Sequence, residues 1–201
     1  MSQFATYEDL LAAITVDEGR EIINPATEEV VGVAPEGSVE ELNAAVERAV
    51  QAQKSFAKLS DAERCDLLLK AADAIEASAE PLVELLSREQ GKPLKGPNAR
   101  FEVGACSAWL RATASFESPD YTAVDDDITA TVHYRPLGVV GAIGPWNWPM
   151  MITIWQIAPA LRMGNAVVVK PSEYTPLSVL ALIKVFNSVL PEGVQIGRAH
   201  V

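Results

Sequence analysis

Two short segments of the sequence carry side chains that could do chemistry, and each follows a continuously apolar run. The first reads GPWNWP at residues 144–149, and the second reads KPSE at residues 170–173. Prolines bracket Asn147 in the first segment and would hold its amide N–H at a fixed point, as the stabilisation of an oxyanion requires. A buried turn in which the asparagine satisfies nearby backbone groups would explain the same pattern, and the residues alone favour that alternative.

The second segment pairs a lysine with a carboxylate three residues later. Lys170 and Glu173 could form a surface ion pair, which would contribute little to stability. Alternatively, the Glu173 carboxylate could accept hydrogen bonds from both hydroxyls of an adenine ribose, with Lys170 nearby, and would then repel a 2′-phosphate and favour NAD over NADP. Gly138, Gly141 and Gly144 do not have the GxGxxG spacing, so they are weak evidence for a phosphate loop.

The apolar runs that precede these segments predict the elements that would position them. Residues 137–143 and 166–169 have the pattern of strands buried on both faces. A helix over 150–163, ended by Gly164, joins them, and a helix over 176–190 follows the second strand. Strand and helix alternating with short connections predict parallel βαβ units, in which ligands bind beyond the carboxyl ends of the strands. Both segments fall at such ends.

The residues before this sheet predict four amphipathic helices within the first 117 positions. Capping boxes at residues 38–41 and 60–63 begin two of them, Gly91 ends the third, and the fourth runs over about 98–116. An extended segment precedes the first helix. After the fourth helix, residues 118–127 are polar and acidic, and alternation over 128–135 predicts a half-exposed strand.

The composition is that of an acidic globular protein. The 201 residues include 16 Lys and Arg against 27 Asp and Glu, which gives a net charge of −11 and a pI near 4.6. No basic patch could dominate such a surface, so we expect no nucleic-acid partner. Apolar residues make up 49% and charged residues 21%, which is typical of a chain that buries a core. The acidic residues concentrate in the first half, which predicts solvated helices there.

The cysteines and the longest uncharged run bear on the compartment. Cys65 and Cys106 are too few for a disulfide framework, and the N-terminus has no pattern of a secretory signal, so we expect a cytoplasmic protein. The run from Pro136 to Leu161 lacks charged side chains and is long enough to cross a bilayer. Its glycines and prolines would interrupt a helix, so it predicts a strand, a tight turn and a buried helix instead.

Five motifs, in order along the chain, resemble signatures of the aldehyde dehydrogenase superfamily. They are INPAT at 23–27, EQGKP at 89–93, PWNWP at 145–149, GNAVVVKPSE at 164–173 and LPEG at 190–193. The resemblance covers residues 20 to about 194, and five ordered motifs are far more specific than any single one.

The resemblance implies an α/β fold in which N-terminal helices precede the start of a Rossmann-like parallel sheet. Residues 1–120 would form the helical part of the cofactor-binding domain, and residues 121–136 the start of an oligomerisation arm. Residues 137–201 would form the first βαβα units of the NAD-binding domain, which would be incomplete. Members of this superfamily that are full length would form homodimers or homotetramers.

The resemblance also implies roles for particular residues. Asn147 matches the asparagine that stabilises the oxyanion formed when a cysteine attacks the aldehyde. The positions that match the cofactor cleft are Ile143, Pro145, Trp146, Lys170 and Glu173. The positions that match the aldehyde tunnel are Trp148, Ile152 and Trp155, which would suit an apolar or aromatic aldehyde. Each could instead be core packing, and for Ile152 that is at least as good an interpretation. Gln156 stands where many members have lysine.

The implied activity is the oxidation of an aldehyde to a carboxylic acid with NAD as the acceptor. The cysteine nucleophile and the glutamate base of the family would lie beyond position 201, so we expect this chain to be inactive alone. Cys65 and Cys106 are interpreted as small core residues, because neither lies near a histidine or a strand end. His133 and His200 have no triad or metal-ligand spacing, and no metal is expected.

Two other functions stay open, as does the status of the chain. One is a non-catalytic nucleotide-binding or subunit-interaction remnant. The other is a superfamily member that reduces an acyl-phosphate or an acyl-CoA. Residues 195–201 read QIGRAHV where the family continues with an apolar strand, so we expect a truncated, frameshifted or incomplete sequence. An uncovered strand edge and helix 176–190 would then make the chain prone to aggregation or dependent on a partner.

Overall fold

The computed structural model describes residues 4–95, 98–117, 120–125 and 127–197. Its helices are α1 (Tyr7–Ala12), α2 (Val39–Phe56), α3 (Asp61–Ala77), α4 (Ala79–Gln90), α5 (Ala99–Ser115), α6 (Pro149–Arg162) and α7 (Pro176–Phe186). Its strands are β1 (Arg20–Ile23), β2 (Val30–Ala34), β3 (Tyr121–Asp125), β4 (Ile128–Val132), β5 (Val139–Ile143), β6 (Ala166–Lys170) and β7 (Gln195–Gly197).

A parallel sheet of order β5-β6-β7 lies in the second half of the described chain. Its first two strands are those that the sequence predicts, but β7 was not predicted, because residues 195–201 lack the apolar run of a buried strand. Helix α6 connects β5 to β6, and helix α7 connects β6 to β7. The register places Val139 opposite Ala166 and Ile143 opposite Lys170, so both strands end at the same edge. The predicted α/β class with parallel βαβ units is confirmed.

The core lies between this sheet and the N-terminal helices. Helix α3 packs on α5, α5 packs on α6, and α4 packs on α7, whereas α2 contacts the strands of the sheet. Leu68, Leu110, Met150, Ile154 and Leu182 are among the fully buried side chains that these helices share. The apolar stripe of each amphipathic helix is thereby removed from water, which is the main stabilising term of such a layered fold.

The predicted starts of α2 and α3 and the predicted ends of α4 and α6 rest on local chemistry, and the structure confirms them. Ser38 and Ser60 each accept a hydrogen bond from the backbone of the glutamate three residues later, and each glutamate bonds back to the serine N–H. Gly91 ends α4 in the left-handed conformation with a φ of 73°. Gly164 follows α6 with a φ of 81°, a region that side chains with a Cβ rarely adopt.

Two predictions about the parallel βαβ units were wrong in extent. Strand β5 is not buried on both faces: Ala142 is 1% exposed, but Ile143 is 70% exposed. The physical reason is that β5 lies at the edge of the described sheet, with β6 on one side only. The helix predicted over 176–190 ends at Phe186. The N–H groups of Ser188 and Val189 bond to carbonyl oxygens three residues back, which is the pattern of a turn and not of an α-helix.

Two further elements escaped the sequence patterns. Helix α1 was not predicted, because its six residues are too few to show a helical period. Strand β3 lies in the segment whose pattern was described only as polar and acidic, and it pairs antiparallel with β4. Strand β4 is exposed along most of its length and stops at Val132, short of the predicted end. Cross-strand hydrogen bonds stabilise this hairpin although no residue of β4 is buried, so the predicted half-exposed strand is more exposed than expected.

Candidate functional site

The two chemistry-bearing segments meet at the carboxyl ends of β5 and β6. Ile143 and Lys170 are register partners at the last position of their strands. The Gly144 N–H donates to the Lys170 carbonyl oxygen at 2.9 Å, which continues the pairing for one more residue. A Cβ on Gly144 would lie 2.5 Å from Thr153 Oγ1, so only glycine allows α6 to approach this strand end so closely.

The loop between β5 and α6 is held through its carbonyl oxygens. The Gln90 Nε2 donates to the carbonyl oxygens of Trp146 and Asn147, the latter at 2.8 Å. The Lys92 Nζ donates to the same Asn147 oxygen at 2.8 Å. These donors flank Gly91 at the end of α4, in the segment that the sequence marked only as a family signature. Their contact with the loop was missed, because more than fifty residues separate them from it.

The Asn147 side chain is exposed. Within the part of the chain that the structure describes, its amide makes no hydrogen bond, although its own carbonyl oxygen accepts two. The alternative interpretation, a side chain that satisfies the local backbone, is therefore not what the described residues show. Among the described residues, the Asn147 side-chain amide is therefore a donor without a hydrogen-bond partner, on a backbone that Gln90 and Lys92 hold in place.

Helix α6 begins directly after this loop on a buried carboxylate. The Glu102 Oε1 accepts the N–H groups of Met150 at 2.9 Å and Met151 at 3.2 Å. The Glu102 Oε2 pairs with the Lys92 Nζ at 2.5 Å, and both side chains are largely shielded from water. Trp148 at the N-cap makes no side-chain cap bond, so Glu102 of α5 takes that role.

Helix α7 begins on a second buried carboxylate. The Glu89 Oε1 accepts the N–H of Leu177 at 2.5 Å, and its Oε2 accepts the N–H of Ser178 at 3.0 Å. Burial raises the pKa of Glu89 to about 7, although the hydrogen bonds that it accepts act in the opposite direction. Neither glutamate was singled out from the sequence, because a charge on an amphipathic helix is more often on its solvated face.

The residues expected to contact a cofactor lie around the shared strand edge. Ile143 and Trp146 are 70% and 60% exposed, so they present apolar surface there. Pro145 and Glu173 are half-buried. The Lys170 Nζ donates to the Pro171 carbonyl oxygen at 3.3 Å. An apolar surface beside a lysine and a carboxylate is a combination that fits a nucleoside.

Gln156 binds the end of β5 with its side-chain amide. The Ile143 N–H donates to the Gln156 Oε1 at 3.1 Å, and the Gln156 Nε2 donates to the Ile143 carbonyl oxygen at 3.0 Å. The amide thus bonds both backbone groups that an edge strand leaves without a partner strand. A lysine here could reach the carbonyl oxygen but could not accept from the N–H.

An apolar groove of about 610 Å³ lies between α5 and α6. Its lining consists of Phe101, Gly104, Ala105, Ala108, Trp109, Ala112, Met151 and Trp155. The Trp155 ring lies 5.5 Å from the Trp109 ring. Trp148 is not among the lining residues but contacts Phe101 edge-on at 5.9 Å, and Ile152 is half-buried outside the lining.

Seven of the eight residues that line this groove were missed from the sequence, all except Trp155. A signal for them existed in the pattern of α5. The residues at 101, 105, 108 and 112 recur at helical spacing and are small or aromatic, so they define one face of the helix. Only the packing of α5 on α6 shows that this face opens onto Trp155.

The cysteines and histidines stand apart from this site. Cys106 is fully buried on α5, and burial raises the pKa of its thiol well above the ordinary value, which opposes thiolate formation. Cys65 is half-buried on α3. The His133 Nδ1 lies 3.0 Å from a carboxylate oxygen of Asp120, and His200 is outside the described residues. Among the described residues, no three potential ligand side chains are grouped so that they could hold a metal ion.

The uncharged run from Pro136 to Leu161 is long enough to cross a bilayer, so its structure bears on whether it forms a membrane span. This run forms strand β5, the loop and helix α6, as expected. None of the helices in the described ranges combines the length and the apolar character that crossing a membrane demands.

The chain is similar in sequence to proteins of one family. The model of the "Aldehyde dehydrogenase family" matches residues 14–196. The FUS7 protein of Gibberella fujikuroi is 36% identical over 179 residues, which cover 89% of this chain and 38% of that protein.

Solved structures are similar in both fold and sequence. The NAD⁺ complex of an aldehyde dehydrogenase from Bacillus cereus has a TM-score of 0.85 and 34% identity, and the match covers 92% of this chain and 38% of that one. The NADP-dependent glyceraldehyde-3-phosphate dehydrogenase of Bacillus halodurans, complexed with NADP, has a TM-score of 0.86 and 34% identity, with 92% and 40% covered. The chain therefore spans about two fifths of the length of these relatives.

Proposed function

This chain belongs to the aldehyde dehydrogenase family, and we propose that the whole protein oxidises an aldehyde to a carboxylic acid with a nicotinamide cofactor. The observation that carries the proposal is the state of Asn147. Its backbone oxygen is bonded by Gln90 and Lys92, while its side-chain amide is exposed and makes no hydrogen bond in the described part of the chain. Such a held, unengaged N–H is suited to an oxyanion that develops beside it.

The chemistry that we propose for Asn147 is electrostatic. Attack of a cysteine thiolate on an aldehyde carbon places negative charge on the carbonyl oxygen, and the Asn147 side-chain N–H donates to that oxygen. The buried Cys106 thiol is a poor candidate for the nucleophile, because its pKa is raised. We propose that the nucleophile and the general base come from residues outside these 201.

A nicotinamide cofactor would accept the hydride in this reaction. We propose that Ile143, Pro145 and Trp146 contact it through apolar surface, and that Lys170 and Glu173 bind the adenosine ribose. Support comes from the exposed apolar surface at the strand edge and from the placement of Lys170 opposite Ile143. Because a Glu173 carboxylate would repel a 2′-phosphate, we propose NAD in preference to NADP.

The substrate and the partners are proposed from the surfaces of the described residues. An apolar groove that contains Trp155 would suit an apolar or aromatic aldehyde, with Trp148 at its margin through Phe101. The β3–β4 hairpin exposes Tyr121 and Ile128, which we propose as contacts between copies in a homodimer or homotetramer. We propose the cytoplasm as the compartment of the protein.

The full product of the gene should be assayed with benzaldehyde and with acetaldehyde, each with NAD or NADP. We expect carboxylic acid and reduced cofactor in equal amounts, faster turnover of benzaldehyde, and a preference for NAD that E173Q weakens. The absence of acid with every pair would overturn the proposed activity.

The role of Asn147 has its own variant in the same assay. N147A should lower kcat by about 10²–10³-fold, the usual cost of removing one oxyanion donor. N43A is the matched control, because Asn43 is an exposed asparagine on α2 and should leave kcat unchanged. If N147A and N43A have equal kcat values, the oxyanion role is wrong even though aldehyde oxidation stands.

A further inference from the structure

The segment at residues 89–92 (EQGK) contacts α5, α7 and the loop that carries Asn147. Glu89 accepts the first amides of α7, Gln90 donates to the loop, and Lys92 contacts both the loop and the Glu102 carboxylate. In the oxyanion chemistry proposed above, none of these side chains contacts the substrate. The function of these polar side chains is therefore still to be assigned.

Gln90 uses its amide nitrogen on the loop alone. A primary amide has two N–H donors, and Gln90 directs them to two consecutive carbonyl oxygens, those of Trp146 and Asn147. These two carbonyls belong to the peptide planes on either side of the Asn147 Cα, so the two bonds restrict rotation about both backbone bonds of that Cα. The orientation of the two planes determines the direction in which the side chain leaves the backbone.

Lys92 also donates to the backbone oxygen of Asn147, from another direction. Its ammonium group donates to the Asn147 oxygen at 2.8 Å and to Glu102 at 2.5 Å, and it lies 4.0 Å from the centre of the Trp148 ring. The side chain is 13% exposed, so water competes little for these contacts. All three partners adjoin Asn147 or cap the helix that follows it.

We infer that Gln90 and Lys92 are positioning residues, which hold the carbonyl oxygen of Asn147 so that its side-chain amide is aimed before an aldehyde binds. The inference rests on the proposed oxyanion role of Asn147. Misplacement of a catalytic group by about 1 Å can cost about 100-fold in rate, so a held peptide plane has a measurable effect on kcat.

The test is a double-mutant cycle in the full product of the gene, with benzaldehyde and NAD. Q90M keeps the length of the side chain and removes both donors, and Q90E replaces the donating nitrogen with an oxygen that faces two carbonyls. Each should lower kcat about tenfold with the KM for benzaldehyde within about twofold, because the interaction matters in the transition state. In the N147A background, either change should lower kcat less than about twofold, because the group that Gln90 positions is already gone.

The matched control is Q53M. The Gln53 Nε2 also donates to a backbone oxygen, that of Gly164 at 3.1 Å, but at the opposite end of α6. Q53M should leave kcat within about twofold of the parent, since it removes an equivalent bond far from Asn147. Hydrogen exchange in the peptide over 145–153 should accelerate in Q90M and not in Q53M.

The outcomes distinguish the oxyanion role of Asn147 from the positioning role of Gln90 and Lys92. If N147A retains kcat, the oxyanion role fails and the positioning role fails with it. If N147A loses kcat but Q90M lowers kcat by the same factor in both backgrounds, the oxyanion role stands and the positioning role is overturned. Equal exchange in Q90M and Q53M would also overturn it.

Discussion

Two buried glutamates hold the starts of the two helices that follow the site, and they differ in how their charge is matched. Glu102 accepts the amides of Met150 and Met151 at the start of α6, and its second oxygen pairs with Lys92. Glu89 accepts the amides of Leu177 and Ser178 at the start of α7 with one oxygen each. In the contacts that the structure describes, amides rather than an ammonium group meet the Glu89 carboxylate.

The comparison shows that two buried carboxylates can differ in the groups that stabilise their charge. The amides at a helix start stabilise the charge of both residues. Among the described residues, only Glu102 also has a counter-ion, and this counter-ion, Lys92, joins the start of α6 to the Asn147 loop. Glu89 has its pKa raised to about 7 by burial, so a proton can neutralise it within the physiological range. The cap beside the proposed catalytic residue is thus the one that also forms an ion pair.

The largest effect is expected when the counter-ion of Glu102 is removed. K92M would leave the Glu102 charge buried without its partner, and we expect a loss of about 3–5 kcal/mol in the free energy of unfolding. K70M is the matched control, because Lys70 pairs with Asp66 on the surface, with both side chains more than half exposed. That control should cost less than about 1 kcal/mol. Urea unfolding of both variants gives the two values, and equal values would show that Lys92 is no counter-ion.

The second prediction concerns the pH dependence of stability through Glu89. Its pKa in the fold is about 7, above the ordinary 4.5, so the folded protein binds more protons than the unfolded chain between these values. Protonation therefore stabilises the fold fully below pH 4.5, and this contribution is lost as the pH rises through 7. The difference of about 2.5 pKa units corresponds to about 3 kcal/mol.

E89Q isolates this contribution, because glutamine cannot titrate. The free energy of unfolding, measured by urea at several pH values from 5 to 8, should fall more steeply for the parent than for E89Q. E84Q is the control, since Glu84 is on the same helix but pairs with Arg88 at the surface. It should keep the slope of the parent. Parallel curves for the parent and E89Q would show that Glu89 keeps its charge throughout this range.

The smallest expected effect comes from a helix start that is capped at the surface. S60A removes the side chain that accepts the Glu63 N–H and should cost about 1 kcal/mol, less than the loss of either buried cap. Ser55, an exposed serine inside the last turn of α2, provides the control S55A, which should change stability by less than about 0.5 kcal/mol. A loss in S60A as large as that in K92M would remove the distinction between exposed and buried caps.

Much of the fold was predictable because its signals are local. The serines and glutamates of the capping boxes are three residues apart, and the glycines after α4 and α6 act on their own backbone. Alternating apolar strands and helices indicated the parallel sheet. The exposure of β5 and the pairing of β3 with β4 were not predictable in this way, because each depends on which strand lies alongside.

Part of the candidate site was predictable for the same reason. Asn147 between prolines and the Lys170–Glu173 pair are visible as short motifs, and the motifs together led to the family. The groove faces of α5 and the two buried glutamates were missed. A carboxylate on an amphipathic helix is most often solvated, and the partners of Glu89 lie nearly ninety residues away.

The sequence by itself determined the capped ends of four helices, the alternation of β5, α6, β6 and α7, the family, and the position of Asn147 after a strand. These follow from contacts within a few residues or from motifs that need no partner. Only the tertiary structure decided that Gln90 and Lys92 hold the Asn147 oxygen. It also decided that, of the two buried glutamates, Glu102 meets an ammonium group while Glu89 meets backbone amides in the described part of the chain. Burial and ion pairing are properties of what surrounds a side chain, and that environment comes from parts of the chain far apart in the sequence.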